Sequence, residues 1–379
     1  MIDVNPLHCI TPPHMLREIV ARGTPAQRDW AVRTLRVSEQ FRGQRQAFFG
    51  AAELAAAVAA AAGKERIVYD AQNGSTLPGQ KVRGEGDAAT GDKAVDEAYD
   101  GSGATYDLFR DVYERNSIDG SGLRLDSTVH YQKGYDNAFW NGQQMVYGDG
   151  DEDLPEAERL FNRFTISVDI IGHELTHGVT QYEAKLIYFD QPGALNESMS
   201  DVFGSLVRQR IFNQTADQAD WIIGKGLFTP NVNGQGLRSM AAPGTAYDDP
   251  VLGKDPQPAH MRDYKNVPYD NGGVHINSGI PNHAFYRAAR AIGGFAWEKA
   301  GRIWYVALRD KLGARSDFQA AANLSFQTAG ELFGAGGLEQ QAVRTAWADV
   351  GINVSEGQPP PKGCLPTLAG LLRPAPQKR

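Results

Sequence analysis

The spacing of apolar residues changes along this chain from a strand-like to a helix-like pattern. In the first half, short apolar runs bounded by Gly, Asp and Asn predict strands. These runs lie at residues 67–70, 129–131, 137–140 and 144–150, and the last two predict an edge strand with a turn. In the second half, helical spacing of the apolar residues predicts helices at 280–292, 295–312, 316–333 and 338–350. We therefore expect an α+β fold, with a β-rich lobe followed by a mainly helical lobe.

Three more helices are predicted in the middle of the chain, at residues 94–116, 169–182 and 195–210. The last two lie where the lobes meet, and both carry side chains that can bind metals or move protons. Because clefts between lobes are common places for active sites, we expect the active site at these two helices.

The N-terminal residues form a unit of their own, with one amphipathic helix opening at 11–17 and another over 27–45. An alanine-rich segment follows; it is either a helix or a cleavable connector, since it offers little to bury. The proline-rich C-terminal tail is expected to be disordered. The chain thus divides into predicted units at residues 1–50, 51–63, 64–182, 183–354 and 355–379.

Composition argues against two classes of partner. The 379 residues carry a formal net charge of −7, which disfavours nucleic acid, and no apolar run approaches the ~20 residues that span a bilayer. The first residues lack the regions of a standard signal peptide, which predicts a cytoplasmic precursor and leaves non-classical secretion open. Cys9 and Cys364, near opposite ends of the chain, predict no disulfide framework. We expect a monomer.

The sequence His173-Glu174-Leu175-Thr176-His177 places two imidazoles one helical turn apart on one face. Both can bind one metal ion, while Glu174 points elsewhere and can hold a water without being a ligand. Glu197 is the candidate for the anionic third ligand of a catalytic zinc. Asp201, four residues later on the same helix face, can accept the free N–H of a ligand histidine. This pattern predicts a zinc hydrolase.

Spacing separates this pattern from related zinc peptidases. A metzincin would have Gly at position 180 and His at 183, where this chain has Thr180 and Glu183. Zinc aminopeptidases place the glutamate one residue earlier, where Asn196 stands, and the sequence contains no G-x-M-E-N stretch. An aminopeptidase is therefore the alternative among enzymes. A catalytically silent binding protein that keeps zinc for structure is the alternative outside them.

Between about Ile67 and Ile352 the chain resembles the thermolysin family of zinc metallopeptidases, and its short N-terminal unit is most similar to the protealysin-like group. The matching blocks are residues 136–142 (D-N-A-F-W-N-G), 173–177 (H-E-L-T-H), 193–197 (G-A-L-N-E), 237–240 (L-R-S-M) and 270–279 (D-N-G-G-V-H-I-N-S-G). The resemblance implies two lobes with the zinc-binding helices between them, preceded by a small helical propeptide. It also implies a zinc-dependent neutral endopeptidase made as a self-inhibited precursor.

The resemblance implies a role for each residue around the metal. One zinc ion would be bound by His173, His177 and Glu197. Asp201 would orient His173, and Asn196 would orient His177. Glu174, which follows the first histidine of the motif, would take a proton from the attacking water and pass it to the leaving amine.

Further roles are implied for the residues that hold the substrate. Tyr188 and His275 would donate hydrogen bonds to the developing oxyanion, and Asp270 would orient His275. The groups holding the substrate backbone would be Asn137, the Ala138 carbonyl and Arg238. The pocket for the residue after the scissile bond would be lined by Phe161, Phe164, Ile170 and Leu237. Such an apolar pocket favours cleavage on the amino side of bulky hydrophobic residues.

The chain departs from the family at the double calcium site. Asp169 and Asp220 keep two of its carboxylate positions, whereas Arg208, Ile222 and Lys225 occupy others. A cationic side chain beside Ca²⁺ is unfavourable, and two carboxylates seldom hold two such ions. We predict that the double calcium site is absent and that Arg208 or Lys225 replaces its charge with ion pairs.

The expected propeptide contains Pro12, Pro13 and Leu16, in the Pro-Pro-x-x-Leu stretch that docks on the catalytic domain in protealysin-type precursors. Cys9 lies just upstream, and its thiolate is a candidate zinc ligand that would exclude water. A buried or merely exposed thiol is an equal alternative. If the thiolate binds zinc, Cys9→Ser weakens latency and speeds self-processing. Cleavage within about 44–63 would release the mature enzyme.

Overall fold

A six-stranded sheet in the order β1-β5-β6-β4-β2-β3 forms the centre of the N-terminal lobe in the computed structural model, which describes residues 8–38 and 63–355. The strands are β1 His8–Cys9, β2 Arg66–Asp70, β3 Gln80–Gly84, β4 Leu125–Val129, β5 Ala138–Trp140 and β6 Met145–Tyr147. Strand β4 pairs in parallel with β2 and β6, and the other pairs are antiparallel. Strand β5 is the edge strand of the lobe itself, and β1 of the N-terminal unit extends the sheet beyond it.

The strand predicted at 129–131 ends at Val129, so the prediction is wrong for its last two residues. His130 has a left-handed backbone (φ +52°), which breaks the extended geometry. Its ring bonds two carboxylates, with Nδ1 2.8 Å from Asp149 Oδ2 and Nε2 3.1 Å from Asp92 Oδ2. Asp92 also caps the next helix by accepting from the backbone N–H of Ala94 at 2.9 Å. His130 therefore ties the start of that helix to the loop after β6.

Three long helices, α3 Lys93–Tyr113, α4 Val168–Tyr182 and α5 Asp190–Ile211, connect the lobes. Helix α4 packs against β5, α3 and α5. Helices α4 and α5 cross where Gly172 faces Gly204: a Cβ on Gly204 would lie 2.3 Å from the Asp169 carbonyl oxygen. Because both residues are glycines, the two helix backbones approach closely at this crossing, and the polar faces of both helices meet.

The second lobe is mainly helical, and its helices are α6 Asp270–Asn277, α7 Gly279–Ile292, α8 Ala300–Asp310, α9 Phe318–Phe333 and α10 Leu338–Asp349. It also contains the antiparallel pairs β7 Ile222–Ile223 with β8 Arg238–Ser239 and β9 Asp248–Asp249 with β10 Gly253–Lys254. Single 3₁₀ turns lie at Glu156–Glu158, Phe164–Ile166 and Met261–Asp263. Stacked Trp304 and Trp347, with ring centroids 6.3 Å apart, hold α8 to α10 in the core.

Helix α8 begins five residues later than the sequence predicts. Gly293 and Gly294 both have positive φ, and Phe295 then stacks on Trp297 at 4.5 Å instead of starting a helix. Helix α6 is not among the predicted helices, because it opens with left-handed residues. Of these, Asn271 and Gly272 have φ of +49° and +84°.

The N-terminal unit comprises β1, helix α1 Pro13–Arg22 and helix α2 at residues 25–38. Strand β1 and helix α2 dock on the first lobe, whereas His14 of α1 lies 3.1 Å from the Tyr247 hydroxyl of the second lobe. Pro13 stands at the start of α1, where its missing N–H costs nothing. The predicted helix at 27–45 is confirmed as far as residue 38. The rest of it, the connector at 51–62 and the tail beyond 355 lie outside the described residues. No helix of the described parts is both long and apolar enough to span a membrane.

Candidate active site

The crossing of α4 and α5 brings together the residues predicted to bind metal. His173 and His177 lie on α4 and Glu197 lies on α5, and all three are fully buried. The two Nε2 atoms are 3.0 Å apart, and the Glu197 carboxylate lies 3.5 Å from one and 3.4 Å from the other. Within 8–38 and 63–355 this is the one group of three such side chains compact enough to hold a metal ion.

The outer nitrogens of both imidazoles are hydrogen-bonded. His173 Nδ1 donates to Asp201 Oδ1 at 2.8 Å, and His177 Nδ1 donates to Asn196 Oδ1 at 2.8 Å. A proton on each Nδ1 leaves a lone pair on each Nε2, directed toward Glu197. Asp201 and Asn196 therefore lie beside the histidines that the family resemblance implies they orient.

The arrangement of donor atoms fits a cation. Two imidazole lone pairs and a carboxylate converge on one point, where they repel one another unless positive charge lies between them. Glu197 Oε2 is buried and has no hydrogen-bond partner among the described residues. Two histidines and one glutamate are a ligand set of catalytic zinc, and His173, His177 and Glu197 would hold it.

Asp201 also bonds Arg238, which joins the metal-binding group to the substrate site. The Arg238 Nε and Nη2 atoms donate to the two Asp201 oxygens, each at 2.8 Å. Burial alone would raise the pKa of Asp201, but Arg238 and His173 outweigh it and hold that pKa well below its usual range. Asn282 Nδ2 donates a further bond at 2.8 Å. Sequence reasoning missed Asn282, which lies 81 residues from Asp201 with no spacing signal.

Glu174 is buried between α4 and the sheet, outside the metal-binding group. Its Oε2 accepts a 3.0 Å hydrogen bond from the backbone N–H of Trp140 in β5. The carboxylate therefore faces the edge strand on which an extended peptide can lie. A carboxylate in this position can exchange protons with the amide of a peptide that lies along β5.

Tyr188, His275 and Asp270 form a second buried group beside Glu197. The Tyr188 hydroxyl donates to Glu197 and lies 3.1 Å from His275 Nε2. The Nδ1 of the His275 ring donates to Asp270 Oδ1 at 2.5 Å, and its Nε2 donates to the Cys9 carbonyl at 2.9 Å. Burial alone would lower the pKa of His275, but Asp270 and Glu197 raise it to about 9. Both ring nitrogens can therefore donate at neutral pH.

The groups predicted to hold a substrate backbone are bonded to the N-terminal unit. Ile10 N–H donates to the Ala138 carbonyl at 3.2 Å, and Thr11 N–H donates to Asn137 Oδ1 at 2.9 Å. Arg238 Nη1 donates to the Ile10 carbonyl at 3.3 Å. These three bonds fix the extended segment on the edge of the sheet.

The residues predicted to line the apolar pocket lie in the main apolar core of the protein. Ile10 has no exposed surface and belongs to the same apolar cluster as the four predicted pocket residues. Those residues are at most 1% exposed: Phe161, Phe164, Ile170 and Leu237. A bulky aliphatic side chain of the N-terminal unit is therefore packed within this cluster.

Downstream, Pro12, Pro13 and Leu16 are buried, and the Pro12 carbonyl accepts the first bond of α1 from Met15 N–H at 3.1 Å. The Cys9 thiol is also buried, with its Sγ 3.7 Å from Ser38 Oγ, and it does not belong to the metal-binding group. This is the buried thiol that the sequence left open as an alternative. Ligation of zinc by Cys9 stays a prediction.

Side-chain ion pairs surround Asp220, one of the positions that the sequence analysis assigned to the family's double calcium site. Arg208 bonds both oxygens of Asp220, at 2.7 and 3.1 Å, and Lys225 Nζ lies 2.5 Å from the same carboxylate. Asp169 accepts hydrogen bonds from Ser167 Oγ at 2.6 Å and from the Gly224 N–H at 3.2 Å. Both cations named in the sequence-based prediction therefore pair with Asp220.

A His-His-Glu site on two crossing helices, between a sheet lobe and a helical lobe, is that of a zinc-dependent peptidase. Profiles described as thermolysin metallopeptidase, catalytic domain and alpha-helical domain, match residues 47–181 and 184–352. The chain belongs to the thermolysin metallopeptidase family and is a zinc metalloendopeptidase.

Individual relatives agree with this assignment. An extracellular metalloprotease of Pectobacterium carotovorum subsp. carotovorum is 50% identical over 359 residues, covering 93% of this chain and 98% of that protein. Protease PrtS of Photorhabdus sp. (strain Az29) is 53% identical over 294 residues, 77% of each chain. The solved precursor of protealysin, a metalloproteinase from Serratia proteamaculans, is 53% identical with a TM-score of 0.82. That similarity covers 91% of this chain and 99% of the precursor.

Proposed function

We propose that this chain is an endopeptidase precursor held inactive because its N-terminal unit fills its own substrate site. The observation that carries the proposal is the set of three backbone bonds that Asn137, Ala138 and Arg238 make to residues 10–11. A substrate peptide requires the same three groups. The bound segment therefore competes directly with any substrate.

The proposed chemistry assigns a task to each side chain around the scissile amide. A zinc ion in the site would lower the pKa of a water ligand toward ~7 and polarise the scissile carbonyl. Glu174 takes a proton from the attacking water and delivers it to the leaving amine. Tyr188 and His275 donate hydrogen bonds to the carbonyl oxygen as it gains negative charge, and one such donor is worth ~2.7–4 kcal/mol. Asp270 holds His275 in place.

The same geometry supports a preference for bulky hydrophobic residues after the scissile bond. Ile10 follows the carbonyl that faces His275, and its side chain is buried in the apolar cluster that contains Phe161 and Leu237. Each methylene lost from such a side chain costs ~1–3 kcal/mol of discrimination. We therefore propose cleavage on the amino side of residues such as Ile, Leu and Phe.

Contacts outside the substrate site support stable latency in a monomer. Thr24 Oγ1 donates to Glu158 Oε2 at 2.7 Å, and Gln27 Nε2 donates to the Glu158 carbonyl at 2.6 Å. The Trp30 ring lies so close to Gly134 that a Cβ there would be 2.3 Å from it. Helix α2 thus anchors the N-terminal unit away from the metal-binding group. A single chain supplies both the inhibitor and the site that it blocks.

The test is incubation of the purified precursor with and without a zinc chelator, followed by N-terminal sequencing and assay on an internally quenched peptide with a blocked N-terminus. We expect processing and peptide hydrolysis only without chelator. Hydrolysis restricted to peptides with free N-termini would favour an aminopeptidase. A fully processed, metal-replete sample that cleaves neither the blocked peptide nor the same peptide with a free N-terminus would indicate the silent binding protein.

A further inference from the structure

Residues 8–11 lie along the sheet as an added strand with a defined direction. In β1, His8 pairs with Trp140 and Cys9 pairs with Phe139, antiparallel to β5. The Ile10 N–H then continues this pattern by donating to the Ala138 carbonyl. Peptides bind at sheet edges in this manner, with main-chain bonds along the edge and alternate side chains in pockets.

The register of this strand presents one particular bond to the catalytic groups. The Cys9 carbonyl accepts from His275 Nε2 at 2.9 Å, which is the position of the scissile carbonyl in the proposed function. On the carboxyl side of the bond, the N–H of Ile10 is held by Ala138 and its carbonyl by Arg238. The contacts that the proposed function assigns to His275, Ala138 and Arg238 are therefore all made around the bond from Cys9 to Ile10.

The side chain and the metal-binding group agree with this register. Ile10 is a bulky aliphatic residue with no exposed surface, as the proposed pocket prefers after the scissile bond. The same His275 Nε2 that contacts the Cys9 carbonyl lies 3.6 Å from Glu197 Oε2. The carbonyl of Cys9 is therefore beside the metal-binding group and not at a distant part of the cleft.

We propose that the bond between Cys9 and Ile10 is hydrolysed by the chain's own active site, an inference that rests on the proposed function. Water adds to the Cys9 carbonyl carbon, and the C–N bond to Ile10 breaks. Glu174 carries one proton from the water to the Ile10 nitrogen, which leaves as an amine. The second proton of the water then passes from the new carboxyl group to this amine, so Cys9 ends as a carboxylate and Ile10 as an ammonium group. The products are the nine-residue peptide 1–9 and a chain that begins at Ile10.

The chain on the carboxyl side of this bond is held by contacts that do not depend on the bond. On the amino side, β1 contributes two strand residues, and the Cys9 thiol bonds Ser38. On the carboxyl side, Ile10 precedes helix α1, whose His14 contacts Tyr247, and helix α2, which is anchored at Glu158 and Gly134. After hydrolysis the chain from Ile10 onward is therefore expected to stay in place.

The test uses the full-length precursor, purified with chelator and then given equimolar zinc, with samples stopped over time for intact mass and N-terminal sequencing. We expect a first-order appearance of peptide 1–9 and of a chain starting at Ile10, with a rate constant unchanged by a tenfold dilution. An apparent rate constant that falls about tenfold on this dilution would mean that one molecule cuts another, and it would overturn the proposal. Processing without any chain that starts at Ile10 would also overturn the proposal.

Matched variants separate this cut from other processing. Ile10→Leu should keep the cut, whereas Ile10→Ala should slow it at least about tenfold, because several buried carbons are lost from the pocket. Equal rates in the two variants would contradict the proposed register. The processed enzyme is assayed in parallel on the quenched peptide. Hydrolysis of that peptide beside an intact Cys9–Ile10 bond would overturn this inference alone, while loss of both would overturn the proposed function.

Discussion

Arg238 and Asp201 form a fully buried ion pair with two hydrogen bonds of 2.8 Å each. The Asp201 carboxylate also orients His173, and the Arg238 guanidinium also binds the Ile10 carbonyl. One ion pair thus connects a histidine of the metal-binding group to the guanidinium that bonds the Ile10 carbonyl. In the proposed function, the positions of metal and substrate are therefore coupled through these two residues.

Replacing Arg238 should destabilise the fold strongly. Arg238→Met leaves the Asp201 charge buried without its main partner, and breaking a buried pair in this way costs ~3–5 kcal/mol. Urea denaturation in a Glu174→Gln background, which avoids autolysis, measures the change in the free energy of unfolding. The control is Arg309→Met, which removes the exposed ion pair with Asp310. Such a pair contributes at most ~1 kcal/mol to the free energy of unfolding. Equal losses in the two variants would contradict the coupling.

Stability should decrease between pH 6.5 and 9 because of His130. The hydrogen bond to Asp149 raises the pKa of His130 to about 9, although burial opposes the shift. The charged ring is favoured in the folded state, so its contribution is complete below pH 6.5 and is lost as pH rises through 9. The free energy of unfolding, measured in urea across this range, should decline less in His130→Asn. Identical declines would show that the ring does not carry the effect.

Latency should survive the replacement Cys9→Ser. A serine hydroxyl can keep the bond that the thiol makes to Ser38. The measurement is the activity of the intact precursor on a quenched peptide, with Cys364→Ser as the control. Activity that rises only in Cys9→Ser would instead restore the prediction that the thiolate binds zinc and blocks water.

Calcium should have little effect on thermal stability. Two cations already pair with Asp220 and, against the effect of burial, lower its pKa to about 2. A Ca²⁺ ion there would have to displace Arg208 and Lys225. We expect the same melting temperature in millimolar calcium and in a calcium-selective chelator. Calorimetric titration with two tight calcium sites would contradict this expectation.

Local patterns in the sequence were sufficient for much of this structure. The i, i+4 spacing of His173 and His177 placed both imidazoles on one face of α4, and the apolar spacing identified α7, α9 and α10 to within two residues. Errors arose where single residues adopt unusual backbone angles. His130 ended a predicted strand, and Gly293 and Gly294 delayed α8.

Contacts between distant segments could not be predicted in this way. Addition of β1 to the sheet joins residues 130 positions apart, such as Cys9 and Phe139. Strand β1 has only two residues, which are too few to show a strand pattern in the sequence. Nor does any spacing predict that Asn282 bonds Asp201 or that Ser38 bonds the Cys9 thiol. The family resemblance supplied Tyr188, Arg238 and His275, for which the local sequence alone favours no role.

The most direct test of the central claim compares hydrolysis of a quenched peptide by the processed wild type and by Glu174→Gln, processed in trans, with metal content measured in both. In the proposed function Glu174 moves the proton and binds no metal, so both samples should contain one zinc per chain. Loss of a positioned proton carrier should lower kcat by ~10²–10⁴. A Glu174→Gln enzyme that binds zinc and cleaves the peptide as fast as the wild type would contradict the account.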